Sequence, residues 1–213
     1  GFKFQALSKA YENFKTKRSK EREKQEKSKI KNREKQIKEE QKQLKDEGAI
    51  ILGKTNLSEW ANYFCSGCPN GYTSLGGQTL NPYGRKIFES GGSSSGSGVS
   101  IAANFALASL GSETSGSILS PSSKNSLVGL KPTIGNISRS GIVPISSFYD
   151  TSGPMTNNVL DNAIIYNSMI GFDQSDELSK ESTKINIQEM QNFESSDLKI
   201  GFSSRYYLQF LRH

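Results

Sequence analysis

The sequence predicts an α/β fold preceded by a long charged helix. Three observations point there. The composition changes abruptly at Gly48. After it, short apolar runs alternate with stretches of helical periodicity, the pattern of strands and helices sharing one core. The charge is confined to the part before it: residues 1–47 hold 16 Lys/Arg against 9 Asp/Glu, and residues 48–213 hold 11 against 12. The chain is accordingly divided into a charged, mostly helical segment, 1–47, and a domain, 48–213.

In the first segment Phe4, Leu7, Tyr11 and Phe14 recur at helical spacing, and Ile30, Ile37 and Leu44 fall seven apart. A coiled coil needs a second apolar position in each heptad, and here those positions are charged, so a solvated helix is expected. Its interleaved glutamates also argue against a nucleic-acid role, as does the near-neutral remainder of the chain. Gly48 suits the residue that ends a helix. Ala49–Gly53 reads as a short buried strand, and Asn56 as the cap of a helix running through Trp60 and Ala61. Trp60 and Tyr63 read as packing residues. Residues 65–92 read as one long loop, a length that usually serves function.

Val99–Leu110 reads as a buried helix running into a short strand. Residues 111–123 are again rich in glycine and serine. Leu127–Leu130 is another strand, stopped by Lys131-Pro132, and Ile142–Ile145 a further extended piece. Val159, Ala163, Tyr166 and Ile170 mark one face of a helix ended by Gly171. Residues 173–197 are polar and expected to be exposed, and Leu198–Phe202 resembles a strand. No run of about 18 apolar residues is present, so no membrane span is expected. The N-terminus lacks an apolar signal core, which leaves the cytoplasm as the expected location. Cys65 and Cys68 read as two ordinary thiols. With His213 the one histidine, a four-ligand zinc site is not expected. No cofactor is implied.

The informative stretch is Gly91-Gly92-Ser93-Ser94-Ser95-Gly96-Ser97-Gly98. Alone it could be a flexible linker, but it leads without a break into a buried helix. A P-loop would need a lysine after the last glycine, and none follows Gly98. Gly92-Ser93-Ser94-Ser95-Gly96 fits the form of a nucleophile elbow, but that mechanism needs a histidine base. A serine nucleophile without histidine needs another base, and lysine is the known substitute.

Here the chain resembles the amidase-signature family, on Gly91–Gly98, on Gly111–Ile118 (Gly-Ser-Glu-Thr-Ser-Gly-Ser-Ile) and on Val128–Thr133. Gly48–Ala61, Gly76–Tyr83, Gly141–Ser146 and Asp150–Met155 continue the pattern. The last pieces are most similar to the branch that includes bacterial peptide amidases. The resemblance spans roughly residues 44–202 and implies the central, incomplete part of a mixed-sheet amidase-signature fold. It implies amide hydrolysis through an acyl-enzyme on Ser117. Ser93, 24 residues earlier, would bridge Ser117 to a lysine across an unusual cis peptide. The backbone N–H groups of Thr114, Ser115, Gly116 and Ser117 would form the oxyanion hole, with Ser115 standing where the family commonly has Gly or Asp. The implied partner is a small carboxamide or a C-terminally amidated peptide, with no nucleic acid and no membrane; the oligomeric state is not indicated.

The family's catalytic lysine sits in an apolar strand and should fall within residues 5–20. That stretch offers Lys9, Lys15, Lys17 and Lys20, none in such a context, and Lys54 belongs to a different motif. Three accounts stay open: a fragment of a gene broken at both ends, which is the expectation; a degenerate homologue kept for binding or interaction; and a complete small amidase with a substitute lysine.

Overall fold

The computed structural model describes residues 16–25, 27–28, 44–63 and 67–195. The expectations for Phe4–Phe14, for most of the heptad-spaced stretch and for the strand at 198–202 lie outside these residues. Residues 16–25 and 27–28 are helical and exposed, with a Glu23–Lys27 ion pair one turn apart at 2.6 Å.

A second helical stretch, residues 44–46, ends at Gly48 as its sequence predicts. Gly48 has φ +90°, a conformation open to glycine at little cost. Its N–H donates to the Lys45 carbonyl, and the next N–H, of Ala49, donates to the Leu44 carbonyl, both at 2.9 Å. These two bonds satisfy carbonyls that a helix end would leave orphaned, and they define a Schellman turn. The turn folds Ala49 back onto Leu44, and both join the apolar cluster of Leu44, Ile137, Tyr166, Met169 and Ile170. Leu44 lies before the composition change, so the packed unit reaches across it.

The expected strand at 49–53 does not form. Ala49 and Ile51 pack on that cluster, whereas Ile50 and Leu52 are 85% and 72% exposed. The in–out alternation of a strand is present, but no described strand pairs with it. The helix expected from Asn56 is also replaced. Glu59–Asn62 forms one 3-10 turn in which Trp60, Ala61 and Asn62 take left-handed φ values of 50°, 53° and 61°. That turn leaves Trp60 and Tyr63 exposed rather than packed. The Asn56 side chain clamps the following loop instead of capping. Its Nδ2 donates to the Gly77 carbonyl and to Thr79 Oγ1, both at 3.2 Å, and its Oδ1 accepts from Thr73 Oγ1 at 2.8 Å. That clamp holds a small hairpin, β1 (Tyr72–Thr73) and β2 (Gly77–Gln78), inside what reads as continuous loop. Cys68 is disulfide-bonded, which corrects the expectation of an ordinary thiol there; Cys65 lies outside the described residues.

Helix α1 (Ser95–Ala102) begins inside the glycine-serine octapeptide, earlier than its apolar residues suggest. It leads to strand β3 (Ala108–Glu113), then helix α2 (Leu119–Lys124), strand β4 (Val128–Gly129), strand β5 (Thr151–Thr156), helix α3 (Val159–Met169) and helix α4 (Ile187–Gln191). The sheet has the order β3-β5-β4, antiparallel throughout. Its central strand, β5, contains Gly153-Pro154, which in sequence reads as a strand breaker. The proline is tolerated at the end of the β4–β5 ladder, where its carbonyl accepts from the Leu130 N–H at 3.1 Å and the pairing runs no further. Ile142–Ile145 forms no strand. Helix α3 is capped by Asn158, whose side chain accepts from the Asp161 N–H at 2.8 Å. It buries Ala163 and Tyr166, and Ile170 just beyond its end, while Val159 stays exposed. Among the described residues no helix is long and apolar enough to cross a membrane.

Candidate active site

The two serine loops meet at the start of α1. The Ser94 N–H donates to the Ser117 carbonyl at 3.1 Å, which sets the chain at Ser93 beside the chain at Ser117. The Ser94 hydroxyl reinforces the contact by accepting from the Ser112 N–H at 3.1 Å and donating to the Ser112 carbonyl at 3.2 Å. The Gly92–Ser93 peptide bond is cis, as the resemblance implies. Ser93 is buried, and its carbonyl accepts from the Ser58 N–H at 2.9 Å. A Cβ on Gly91 would lie 2.6 Å from the Pro121 backbone. Only glycine lets this loop rest directly on α2.

Around Ser117 the backbone is anchored at both ends. Glu113, the last residue of β3, is 3% exposed. Its Oε2 accepts from the Ile118 and Leu119 N–H groups at 2.6 and 2.9 Å, so the donors that open α2 are taken. At the other end the Thr114 hydroxyl makes a short hydrogen bond to Asp150 Oδ1. Between these anchors Gly116 takes φ +84°, with open space where a Cβ would stand. Among the described residues, none of the N–H groups of Thr114, Ser115, Gly116 and Ser117 donates a hydrogen bond. Four adjacent, unengaged donors beside a serine hydroxyl can receive a developing oxyanion.

Ser93 and Ser117 are thus brought together through their backbones, and the Thr114–Ser117 segment lies with them. The candidate lysines are not. Lys17, Lys20 and Lys54 are exposed, and Lys9 and Lys15 lie outside the described residues. No described lysine hydrogen-bonds to Ser93 or Ser117. Sequence reasoning missed two residues of the site, Glu113 and Asp150. Glu113 could have been found, since it is the one charged residue between Glu89 and Lys124.

The loop after Asp150's partners is fixed by charge. Arg139 and Asp176 form an ion pair at 2.5 Å with side chains 15% and 3% exposed, and Arg139 Nη1 also donates to the Ser147 carbonyl. Asp176 therefore departs from the exposure expected of residues 173–197. The Arg139 hydrogen bond holds the Asp176 carboxyl below the usual carboxylate range, and the same bond raises Arg139. Hydroxyl donors on Ser138, and next on Ser140, lower Asp173.

Comparison with known proteins is consistent with this geometry. The family model described as Amidase matches residues 27–209, a range that begins upstream of the motif resemblance. A solved peptide amidase from Stenotrophomonas maltophilia is 46% identical with a TM-score of 0.65, over 70% of this chain and 30% of that one. An amidase family protein from Bacillus anthracis is 49% identical with a TM-score of 0.65, over 67% and 29%. A probable amidase of Arabidopsis thaliana is 47% identical over 64% of this chain and 27% of its own length. The chain spans under a third of the length of each. With the family model covering most of the sequence, the chain belongs to the amidase family.

Proposed function

We propose that this chain carries the nucleophile and oxyanion loop of a serine-dependent amidase that hydrolyses carboxamide C–N bonds, with Ser117 as nucleophile. The observation that carries the reading is the run of unengaged N–H donors at 114–117 directly beside Ser117. In the first step Ser117 Oγ bonds to the carboxamide carbon while its proton passes to the Ser93 hydroxyl and on to a base. The carbonyl oxygen takes up negative charge facing the 114–117 donors. The C–N bond then breaks, the returning proton goes to nitrogen, and an amine or ammonia leaves. Water attacks the resulting ester, which releases a carboxylic acid and restores Ser117. The family resemblance assigns the base to a lysine, which in this reading comes from outside the described residues. The substrates are small carboxamides, including C-terminally amidated peptides.

The test is ammonia release from an amidated dipeptide by the full chain. Ser117→Ala is expected to lower the rate by at least about 10⁴-fold, and turnover retained in that variant overturns the assignment. A second reading, a non-catalytic amidase-like protein serving interaction, is favoured by the exposure of Lys17, Lys20 and Lys54. It predicts no release from the wild-type chain.

A further inference from the structure

We propose that Asp150 is a positioning residue for the oxyanion loop, acting through the Thr114 hydroxyl; the inference rests on the assignment of Ser117 as nucleophile. Strand register brings the two residues together. Strands β3 and β5 pair antiparallel down to a last rung of Glu113 opposite Thr151. One step further the same register sets Thr114 opposite Asp150. There the backbone ladder stops, and a side-chain bond, Thr114 Oγ1 to Asp150 Oδ1, takes its place. The chain leaves the sheet at this point and enters the 114–117 segment, whose N–H groups are unengaged.

Asp150 is suited to hold that exit. It is 6% exposed, and a buried carboxylate persists only where its oxygens are well hydrogen-bonded. Its Oδ2 accepts from the N–H groups of Ile145 and Ser146 at 2.8 and 2.9 Å, and Oδ1 is given to Thr114. The carboxylate is thereby fixed by its own loop and by the strand it precedes. The far end of the 114–117 segment is held by Glu113 through Ile118 and Leu119. Four residues with unengaged donors are thus stretched between two carboxylate anchors, of which the Asp150 anchor alone comes from a distant part of the chain. Losing it frees the segment to pivot about α2, so the donors no longer meet the oxyanion squarely.

The informative variant is Thr114→Val, which removes the hydroxyl, keeps the shape and leaves the Asp150 bonds to Ile145 and Ser146 in place. It is expected to slow fluorophosphonate labelling of Ser117 by about 10- to 100-fold, less than the loss of a whole oxyanion donor. In amide hydrolysis it should lower kcat with KM unchanged, because the donors act on the transition state. Thr114→Ser should recover at least tenfold over Thr114→Val. Combining Thr114→Val with Asp150→Ala should be no slower than Asp150→Ala alone, since both cut one link. Additive losses, or labelling of Thr114→Val at the wild-type rate, overturn the proposal. A wild-type chain that takes no label overturns the nucleophile reading instead. Hydrogen exchange then decides the positioning claim by itself: the hydrogen-bonded amides that hold the segment, Ser94 on the Ser117 carbonyl and Ile118 and Leu119 on Glu113, should exchange at least tenfold faster in Thr114→Val, with those of α3 unchanged. Equal exchange at Ser94, Ile118 and Leu119 in the two proteins overturns it.

Discussion

Two regions of this chain solve the problem of burial in opposite ways. Around Ser93 and Ser117 the interior is mostly polar, with Ser58, Ser90, Ser94, Ser95, Ser97, Asn81 and Asn125 buried beside Ile101, Ile118 and Met155. Hydroxyl and amide groups there bond to nearby backbone, as when Ser95 Oγ donates to the Gly91 carbonyl and Ser97 Oγ to the Leu110 carbonyl. Around Tyr166 the interior is Leu44, Ile137, Met169 and Ile170, held by apolar burial and flanked by the Arg139–Asp176 ion pair. The first kind of core brings backbone against backbone at glycines. The second brings side chain against side chain around Tyr166, although Gly135 beside it also rests on backbone, with the Leu178 carbonyl 2.0 Å from where a Cβ would stand. The site owes its geometry to small residues and hydrogen bonds, and a substitution inside it has less room than one on the apolar cluster.

The largest effect expected at the site is that of Gly96→Ala. A methyl there would lie 2.3 Å from the Asn56 carbonyl oxygen, a backbone atom with little room to give, because Asn56 also clamps the β1–β2 hairpin. A loss of about 3 kcal/mol, at the upper end for overpacking, should appear as a lowered urea midpoint. Next is Asp176→Ala, which strands Arg139 without its partner. The pair is partly buried, with Arg139 keeping 15% of its side chain exposed, so the loss is about 2 kcal/mol, in the range for a hydrogen bond to a charged group, and local exchange around 135–147 should rise while the 91–112 region stays protected. The same pair sets a smaller acid dependence. Asp173 and Asp176 are both lowered, so their contribution is complete above the ordinary carboxylate value of about 3.9 and is lost as pH falls through their lower folded values. Urea midpoints taken from pH 6 downward should fall more steeply in the wild-type chain than in Asp176→Ala. The smallest effect is Gly53→Ala, where nothing lies within 4 Å of the added carbon; a change beyond about 0.5 kcal/mol would break the contrast between open and packed glycines.

What could be read from the sequence divides along the same line. The helix stop at Gly48 and the buried face of α3 at Ala163, Tyr166 and Ile170 follow from local chemistry and periodicity. Strand β5 was not legible, because its burial comes from sitting between β3 and β4 while its own Gly153-Pro154 signals a break. The strand at 49–53 was over-read: its alternation is real, but strand formation needs a partner that propensity does not supply. Ser93 and Ser117 were legible as candidates through ordered motifs. Asp150 was not seen as part of the site, because its link to Thr114 spans 36 residues and exists only through sheet register. The 3-10 turn at Glu59–Asn62 was missed because the Asn56 side chain is used on the hairpin rather than on a helix.

The central claim is that Ser117 is an activated nucleophile. It is tested most directly by treating the purified full chain with a fluorophosphonate, weighing the intact protein and mapping the adduct. The account predicts one adduct, on Ser117, absent in Ser117→Ala. A folded chain that gains no mass, or that carries the adduct on another residue, would contradict it.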